Sequence, residues 1–520
     1  MKLSQRLRPS ALASSVALQI FVTFFVIYAI TSSGGLEVAD SETRYRTAKS
    51  ILEGNGGALP WGHGPIGMPG RGGHLYSFYG PLQSILMMPA VELTNWLAPG
   101  NSEQLFKLVF GVIGIPLVSA LSLATLFGAL RSLRFDERTA FFTVAMVGLA
   151  TPMWHYGRSG QEENLIGFAF SVYLWGMGLL FRERASGLLL VATAASIIVA
   201  TRWSYLPALG IMMIPVALLL WQRRVQWRSW WRSLAISSAG ASVVLGAVFW
   251  YNIYRFGRPF ETGYGVYFKT HPAFTFGQAP NHIAALMVSP YRGLLWFCPL
   301  LIVLFGLWNA PKRRPEAWLH RTAIAALIFT WLFIGCFAIW TAGPAWAPRY
   351  LVALVVLLAP AFASVFASGQ RWRAVVAVSI LVQLCSTLLP SSSEDFVFAM
   401  RNLEHPGSCT PWTCSCGALC MRGPWALRAI GNTITSRALP VIELTSEAQA
   451  QPPPQLETSD FNSVYWWPVR AAYRAHKLSP ALAFVVCLLG LSAAIGALWF
   501  FYRRLPPSSR DAGAVPAPEP

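Results

Sequence analysis

The residues best placed to do chemistry lie just beyond the first long apolar run. Residues 11–31 carry no charge, and directly after them comes Glu37-Val-Ala-Asp40-Ser-Glu42-Thr-Arg44-Tyr45-Arg46. Acids and bases crowded against a membrane surface, and followed by an aromatic, Gly-rich segment that returns to the bilayer, point to chemistry at the membrane boundary. A second acidic pair, Glu162 and Glu163, interrupts two apolar runs that turn back on each other. If buried without partners, such acids cost a few kcal/mol. Arg158, Arg202, Arg292 and Arg349 each stand near the end of an apolar run.

Each of these groups has a plainer reading. Glu42 stands four residues before Arg46, a spacing that supports a surface helix through an ion pair. Asp40 is an acceptable N-cap for a helix running through Ile51. Glu162 and Glu163 are also compatible with a solvated tight loop, because Arg158-Ser-Gly-Gln is polar throughout. For Arg349 the plain reading is a snorkelling interfacial side chain, set against a loop shaped by two Trp, two Pro and a Gly.

The elements that must position these residues are membrane helices. Of 520 residues, 54% are hydrophobic and 12% charged, and 22 are Trp, a composition unlike that of soluble domains. Apolar runs of about 17–25 residues are long enough to cross the hydrocarbon core. The expected spans are 11–31, 105–130, 139–156, 164–181, 186–202, 204–221, 233–251, 290–309, 322–340, 350–369, 374–390 and 480–502, about 12 in all. The net charge of +18 does not indicate nucleic acid, because Lys and Arg recur in short clusters between apolar runs. The positive-inside rule places those clusters in the cytoplasm, with the N-terminus, and puts Asp40, Glu162 and the arginines at the outer face.

The run 78–98 is the exception, since counting it as a span would invert every later loop. Pro81, Pro89 and Glu92 fit a helix lying in the outer interface instead. Residues 1–31 are too long for a typical signal peptide and no convincing cleavage site follows. The chain therefore divides into a transmembrane catalytic region (1–390, with outer loop 32–104), an outer region (391–479), a final span (480–502) and a Pro-rich cytoplasmic tail (503–520) expected to be disordered. Trp466-Trp467, before the last span, reads as an interfacial anchor.

Four of the eight cysteines, Cys409, Cys414, Cys416 and Cys420, share one outer loop. A zinc site needs paired spacings and histidines that are missing there, although His405 is near. Two disulfides are expected, either Cys409–Cys414 with Cys416–Cys420 or the crossed pairing. Cys298, Cys336, Cys385 and Cys487 lie in spans as packing residues.

Several motifs are similar to those of the GT-C class of polytopic glycosyltransferases, which includes protein mannosyltransferases and bacterial aminoarabinose transferases. They are Asp40-Ser-Glu42-Thr-Arg44-Tyr45, the turn Tyr79-Gly80-Pro81, Gly160-Gln-Glu162-Glu163-Asn164, Ser289-Pro-Tyr-Arg292-Gly293 and Trp346-Ala-Pro-Arg349-Tyr350. The similarity runs over roughly the first 370 residues. It implies an all-α GT-C-like fold with interfacial helices in the first outer loop; the small outer disulfide-containing domain is read from the cysteines and lies beyond the resemblance.

The resemblance also implies an activity. An acceptor hydroxyl on a glycan, lipid or protein would displace a polyprenyl phosphate from its sugar, with inversion, on the outer face of a bacterial cytoplasmic membrane. One carboxylate then suffices as general base, and Asp40 is the expected one, with Glu42 its rival. In the class the acids are adjacent, Asp-Glu-x-x-Tyr, whereas here Ser41 precedes Glu42 and Asp40 is displaced by one. Glu162 and Glu163 would form a second acidic site for the acceptor, and Arg349, Arg292, Arg202 and Arg158 a phosphate clamp. A divalent metal would take Asp40 and Glu162 as oxygen ligands, with His63 and His74 as further donors. The alternative is a transporter or flippase of a lipid-linked sugar. Such proteins place polar residues in mid-span, whereas here the charges gather at span ends.

Overall fold

The structure is a computed structural model of the chain and describes residues 9–60, 67–223, 227–269, 272–308, 314–341, 343, 345–368, 372–442, 462–475 and 478–506. His63, the Gln449–Gln455 linker and the tail beyond Pro506 lie outside these residues. The molecule is an all-α bundle, with one small three-stranded sheet in the first loop.

Among the described residues, seven helices are long and apolar enough to cross a bilayer: Ser102–Ser132, Glu163–Phe181, Trp203–Gln222, Ser229–Phe256, Ala317–Gly335, Arg349–Ala367 and Pro480–Arg504. The protein is an integral membrane protein. Shorter apolar helices, Ser15–Thr31, Gly187–Thr201, Pro299–Trp308 and Arg373–Thr387, occupy four more of the expected spans. The last expected span, 139–156, is broken into Glu137–Leu149 and Met153–Ser159, with Pro152 between them. Length and composition alone thus mark seven crossings among the described residues, and the remaining expected spans are shorter or broken helices. Pro299–Trp308 is a 3-10 helix rather than the start of a regular span, as befits a segment entered through Pro290, Gly293 and Pro299.

For the site, five elements matter. We label α1 (Ala39–Leu52), α2 (Leu82–Leu97), α3 (Glu163–Phe181), α4 (Arg349–Ala367) and α5 (Ser393–Glu404). The windows that define α3 and α4 are 78% and 89% buried inside the protein, against 11% for Ser229–Phe256. These two are therefore the innermost spans, and their N-termini meet at the same end of the bundle. Helix α1 lies over that end, and the first loop between α1 and α2 carries the antiparallel sheet β1 (Ala58–Leu59), β3 (Leu75–Ser77) and β2 (Gly67–Pro69), in the order β1-β3-β2.

Helix α2 is the expected interfacial element of the 78–98 run. Met87 and Val91 pack with Tyr45, Ala48 and Phe106, while Ile85, Leu86, Leu93 and Trp96 remain exposed. A one-sided apolar face suits the headgroup boundary. The 391–442 and 462–475 stretches share the core of the spans: Val397, Met421, Tyr465 and Trp466 belong to the same continuous cluster as α3 and α4 side chains. Trp466 is not an interfacial anchor. It is wholly buried and donates to the Thr387 carbonyl at 3.0 Å, and Trp467 donates to the Ala29 carbonyl at 3.0 Å. Their N–H groups tie the outer region to two apolar helices.

Candidate active site

Helix α1 decides which acids face inward. Its N-cap is Val38, with no side-chain cap, so Asp40 sits in the first turn and does not cap it. Residues four apart share a helix face and residues two apart lie on opposite sides. Asp40 and Arg44 therefore face the bundle together, and Glu42 looks the other way. Glu42 accepts from Arg46 at 2.9 Å and pairs with Lys107 at 3.1 Å, in a half-exposed network completed by Glu103. The structure thus places Glu42 on the opposite face of α1 from Asp40 and outside the Arg349 cluster.

The second acidic pair comes from the turn before α3. Gly160, at φ 81°, reverses the chain, and its carbonyl accepts from Ser41 Oγ at 2.8 Å and Gln83 Nε2 at 2.9 Å. Those two bonds lock the turn to α1 and α2. Glu163 then opens α3 and Glu162 precedes it, where the helix dipole favours carboxylates. Both side chains are fully buried. They are not in a solvated loop.

Arg349, the first residue of α4, joins the two acidic segments. Its Nε donates to Glu163 at 2.6 Å, its Nη1 to Asp40 at 2.5 Å, and its Nη2 lies 3.3 Å from Glu162. Arg202, at the end of Gly187–Thr201, pairs with Glu162 and stands 3.3 Å from Glu163. Arg44 pairs with Glu162 and lies 3.9 Å above the Tyr79 ring; Arg202 lies 4.6 Å above Tyr350. Three carboxylates thus face three guanidiniums, so the desolvated cluster is balanced in charge. That balance matters, because one uncompensated charge buried here would cost several kcal/mol.

Within this cluster Asp40 differs from its neighbours. Its side chain is 13% exposed, whereas those of Glu162 and Glu163 are fully buried. Burial alone would raise its carboxyl, but Arg349, Arg44, a hydrogen bond from Tyr79, and Arg202 together outweigh burial and hold it at about 2. Burial lowers the Arg44 guanidinium to about 10, against the opposing pull of Asp40. Tyr79 is pushed well up, first by burial and then by Asp40, so it remains a neutral donor.

The other expected clamp residues lie elsewhere. Arg158 is fully buried against Glu37 at 2.8 Å and donates to the Ser386 and Leu389 carbonyls, each at 3.2 Å. It belongs to an internal lock and not to the Asp40 cluster. Arg292 sits in an adjacent group, paired with Asp395 and donating to the Ala345 and Gly343 carbonyls. Sequence reading missed Arg44 and Tyr79 as partners of Asp40. The signal for Arg44 was present in its i, i+4 spacing from Asp40; nothing local marked Tyr79.

The donor set does not fit a metal. Among the described residues no three His, Cys, Asp or Glu side chains are grouped as ligands, and Asp40 and Glu162 are already engaged by arginines. A narrow cleft of about 20 Å³ adjoins Arg202, between Tyr79, Pro81, Trp203, Asn252 and Arg255. Arg255 donates there to the Ser77 and Tyr79 carbonyls, so a basic residue reaches the Tyr79-Gly80-Pro81 turn from another helix. A wider cleft of about 530 Å³, lined by Lys49, Glu53, Asn55, His74, Tyr76 and Tyr254, opens beyond the other end of α1.

The cysteines adopt the crossed pairing: Cys409–Cys416 and Cys414–Cys420, with Cα separations of 5.7 and 5.6 Å.

No family model matches the chain, and no curated protein matches it in sequence. Among solved structures it is similar to ArnT from Cupriavidus metallidurans bound to undecaprenyl phosphate, with 15% identity and a TM-score of 0.45, covering 95% of this chain and 77% of that one. The apo state of the same protein gives 14% identity and a TM-score of 0.43, covering 95% and 78%. At this distance the likeness transfers no residue role.

Proposed function

We propose that this protein is a membrane glycosyltransferase of the GT-C type. It moves a sugar from a polyprenyl-phosphate donor to a hydroxyl of a glycan, lipid or protein acceptor, at the outer face of a bacterial cytoplasmic membrane, with inversion. The observation that carries this reading is the placement of Asp40, the one solvent-reaching carboxylate in a buried cluster of three arginines and three acids at the end of the spanning bundle. The membrane end is where a lipid-anchored phosphate and a polar acceptor can meet.

The chemistry follows from the charges. The donor phosphate docks against Arg349 and Arg202, which suit phosphate oxygens through planar, multidentate donation. Arg349 is also the cation that does most to hold the Asp40 carboxyl down. As the phosphate draws Arg349 to itself, Asp40 loses that partner and its basicity rises. Asp40 then takes the acceptor O–H proton as the acceptor oxygen bonds to the anomeric carbon. The bond from that carbon to the phosphate oxygen breaks, and polyprenyl phosphate leaves with its electron pair, its charge held by the arginines. Glu162 and Glu163 keep Arg44 and Arg202 in place.

The test uses the full chain in detergent with a panel of radiolabelled polyprenyl-phosphate sugars and a membrane extract. Label should pass to the extract with the wild-type protein and be lost with Asp40→Asn. Undiminished transfer by Asp40→Asn would remove this mechanism. A labelled donor moved across a vesicle membrane without transfer would favour a transporter.

A further inference from the structure

The disulfide-bonded region has no side chain in the Asp40 cluster, yet a continuous set of contacts leads from it to Arg349. We propose that Asp395 is a positioning residue for Arg349, and that the crossed disulfides hold Asp395 where it can act. The catalytic part of this inference rests on the function proposed above.

The contacts begin two residues before Arg349. Ala347 has φ 63°, a left-handed conformation that non-glycine residues adopt under strain and keep only where surrounding contacts over-determine it. Those contacts can be named. Asp395 Oδ2 accepts from the Ala345 N–H at 3.0 Å, and its Oδ1 accepts from Tyr291 Oη at 2.5 Å and pairs with Arg292. Arg292 in turn donates to the Ala345 carbonyl and, at 3.1 Å, to the Gly343 carbonyl. Tyr156 Oη donates to the Trp346 carbonyl at 2.7 Å. Residues 345–347 are thus fixed from three sides before the chain enters α4 at Arg349. Asp395 is the anion that gathers Arg292, Tyr291 and the Ala345 amide together.

Asp395 stands near the start of α5, and the other end of that helix is fixed by the disulfide loop. Arg401 donates to the Ser415 carbonyl at 2.8 Å. Asn402 makes two bonds to Cys409, Nδ2 to its carbonyl and Oδ1 from its N–H, both 3.0 Å. A helix of 12 residues is about 18 Å long, so α5 works as a strut between the bridges and the Arg349 loop. The disulfide loop also touches the Arg292 side directly, since the Leu419 N–H donates to the Pro290 carbonyl at 3.0 Å. Both halves of the Asp395–Arg292 pair are therefore held by the same bridged loop.

Two measurements on the full chain test this, one of them independent of sugar transfer. Hydrogen exchange of the 345–352 backbone should rise in Asp395→Ala and in the variant with Cys409, Cys414, Cys416 and Cys420 all changed to Ser. In the transfer assay Asp395→Ala should lower kcat by about 10- to 100-fold with donor KM changed less, as expected for a misplaced group. Asp395→Asn, which keeps an acceptor for the Ala345 N–H, should recover part of the loss. The four-Ser variant should lose about 3- to 10-fold, and combining it with Asp395→Ala should add little, because both act on one loop. Unchanged exchange at 345–352 in Asp395→Ala, or independent multiplying losses in the combined variant, would overturn the inference. If wild-type protein transfers no sugar, the proposed function fails, and the exchange measurement still decides whether Asp395 fixes the loop.

Discussion

Two of the buried charge clusters in this bundle push their acids in opposite directions. In the first, Asp40 is surrounded by Arg349, Arg44 and Arg202 and is held at about 2 despite its burial. In the second, Glu394 is raised to about 7, first by burial, with Arg422 at 3.0 Å opposing this only in part. The second cluster is also closed. Arg422 donates to the Pro390 carbonyl, Arg158 to those of Ser386 and Leu389, and Glu37 accepts from the Ser391 N–H. Its arginines are divided between buried carboxylates and backbone carbonyls, as in a structural lock. In the first cluster the arginines face carboxylates and aromatic rings, and one carboxylate reaches solvent. Burial of charge alone does not mark a site. A site needs cations that can be reassigned to a ligand and an edge through which the ligand arrives.

The sharpest way to break this comparison is to neutralise one acid in each environment of α1. Asp40→Asn should lower kcat by about two to four orders of magnitude with donor binding largely kept, and steady-state transfer with a labelled donor measures it. Equal loss from Glu42→Gln would mean that the face of α1 does not matter. Next in size is the lock itself. Arg158→Met leaves Glu37 buried without its cation and should cost about 3–5 kcal/mol of stability, read as a fall in the thermal transition of detergent-solubilised protein. Activity per folded molecule should stay near that of wild type.

Arg349→Lys keeps the charge and loses the planar fork that reaches Asp40 and Glu163, so donor affinity and turnover should both fall, by about tenfold or more. A purely electrostatic role would leave both unchanged. A smaller effect concerns pH. The Asp40 carboxyl is depressed, so its pairing stabilises the fold above the ordinary carboxyl range and is lost as pH falls through about 2. The free-enzyme profile, kcat/KM, should therefore show no acid limb from Asp40 above about pH 3, while the kcat limb should lie higher, because bound phosphate withdraws Arg349. Coincident limbs would argue against that exchange. Glu394 has the opposite sign. Its raised carboxyl favours the fold at low pH and loses that advantage as pH rises through about 7, so Glu394→Gln should flatten the wild-type decline in stability above about pH 4.5.

Composition and apolar run length were enough to read an all-helical membrane protein with its charges at the ends of its helices, and Cys crowding was enough to read two bridges. Periodicity contained more than was taken from it. Asp40 and Arg44 share a face by spacing alone, and Glu42 with Arg46 and Lys107 form the surface network that an i, i+4 pair suggests. What sequence could not supply was the meeting of distant segments. Arg158 and Arg349 both stand near the ends of apolar runs, yet one is sealed by carbonyls and the other joins Asp40 to Glu163. Their place at the run ends does not distinguish them, because the difference lies in which partners the packed helices bring within hydrogen-bonding distance. Likewise, crossed pairing was one of two options until the backbone brought Cys409 to Cys416. The chain determined which charged groups stand at the ends of its apolar runs. Tertiary packing determined which charges oppose one another there, because charge pairing inside a bundle depends on short distances between residues far apart in sequence.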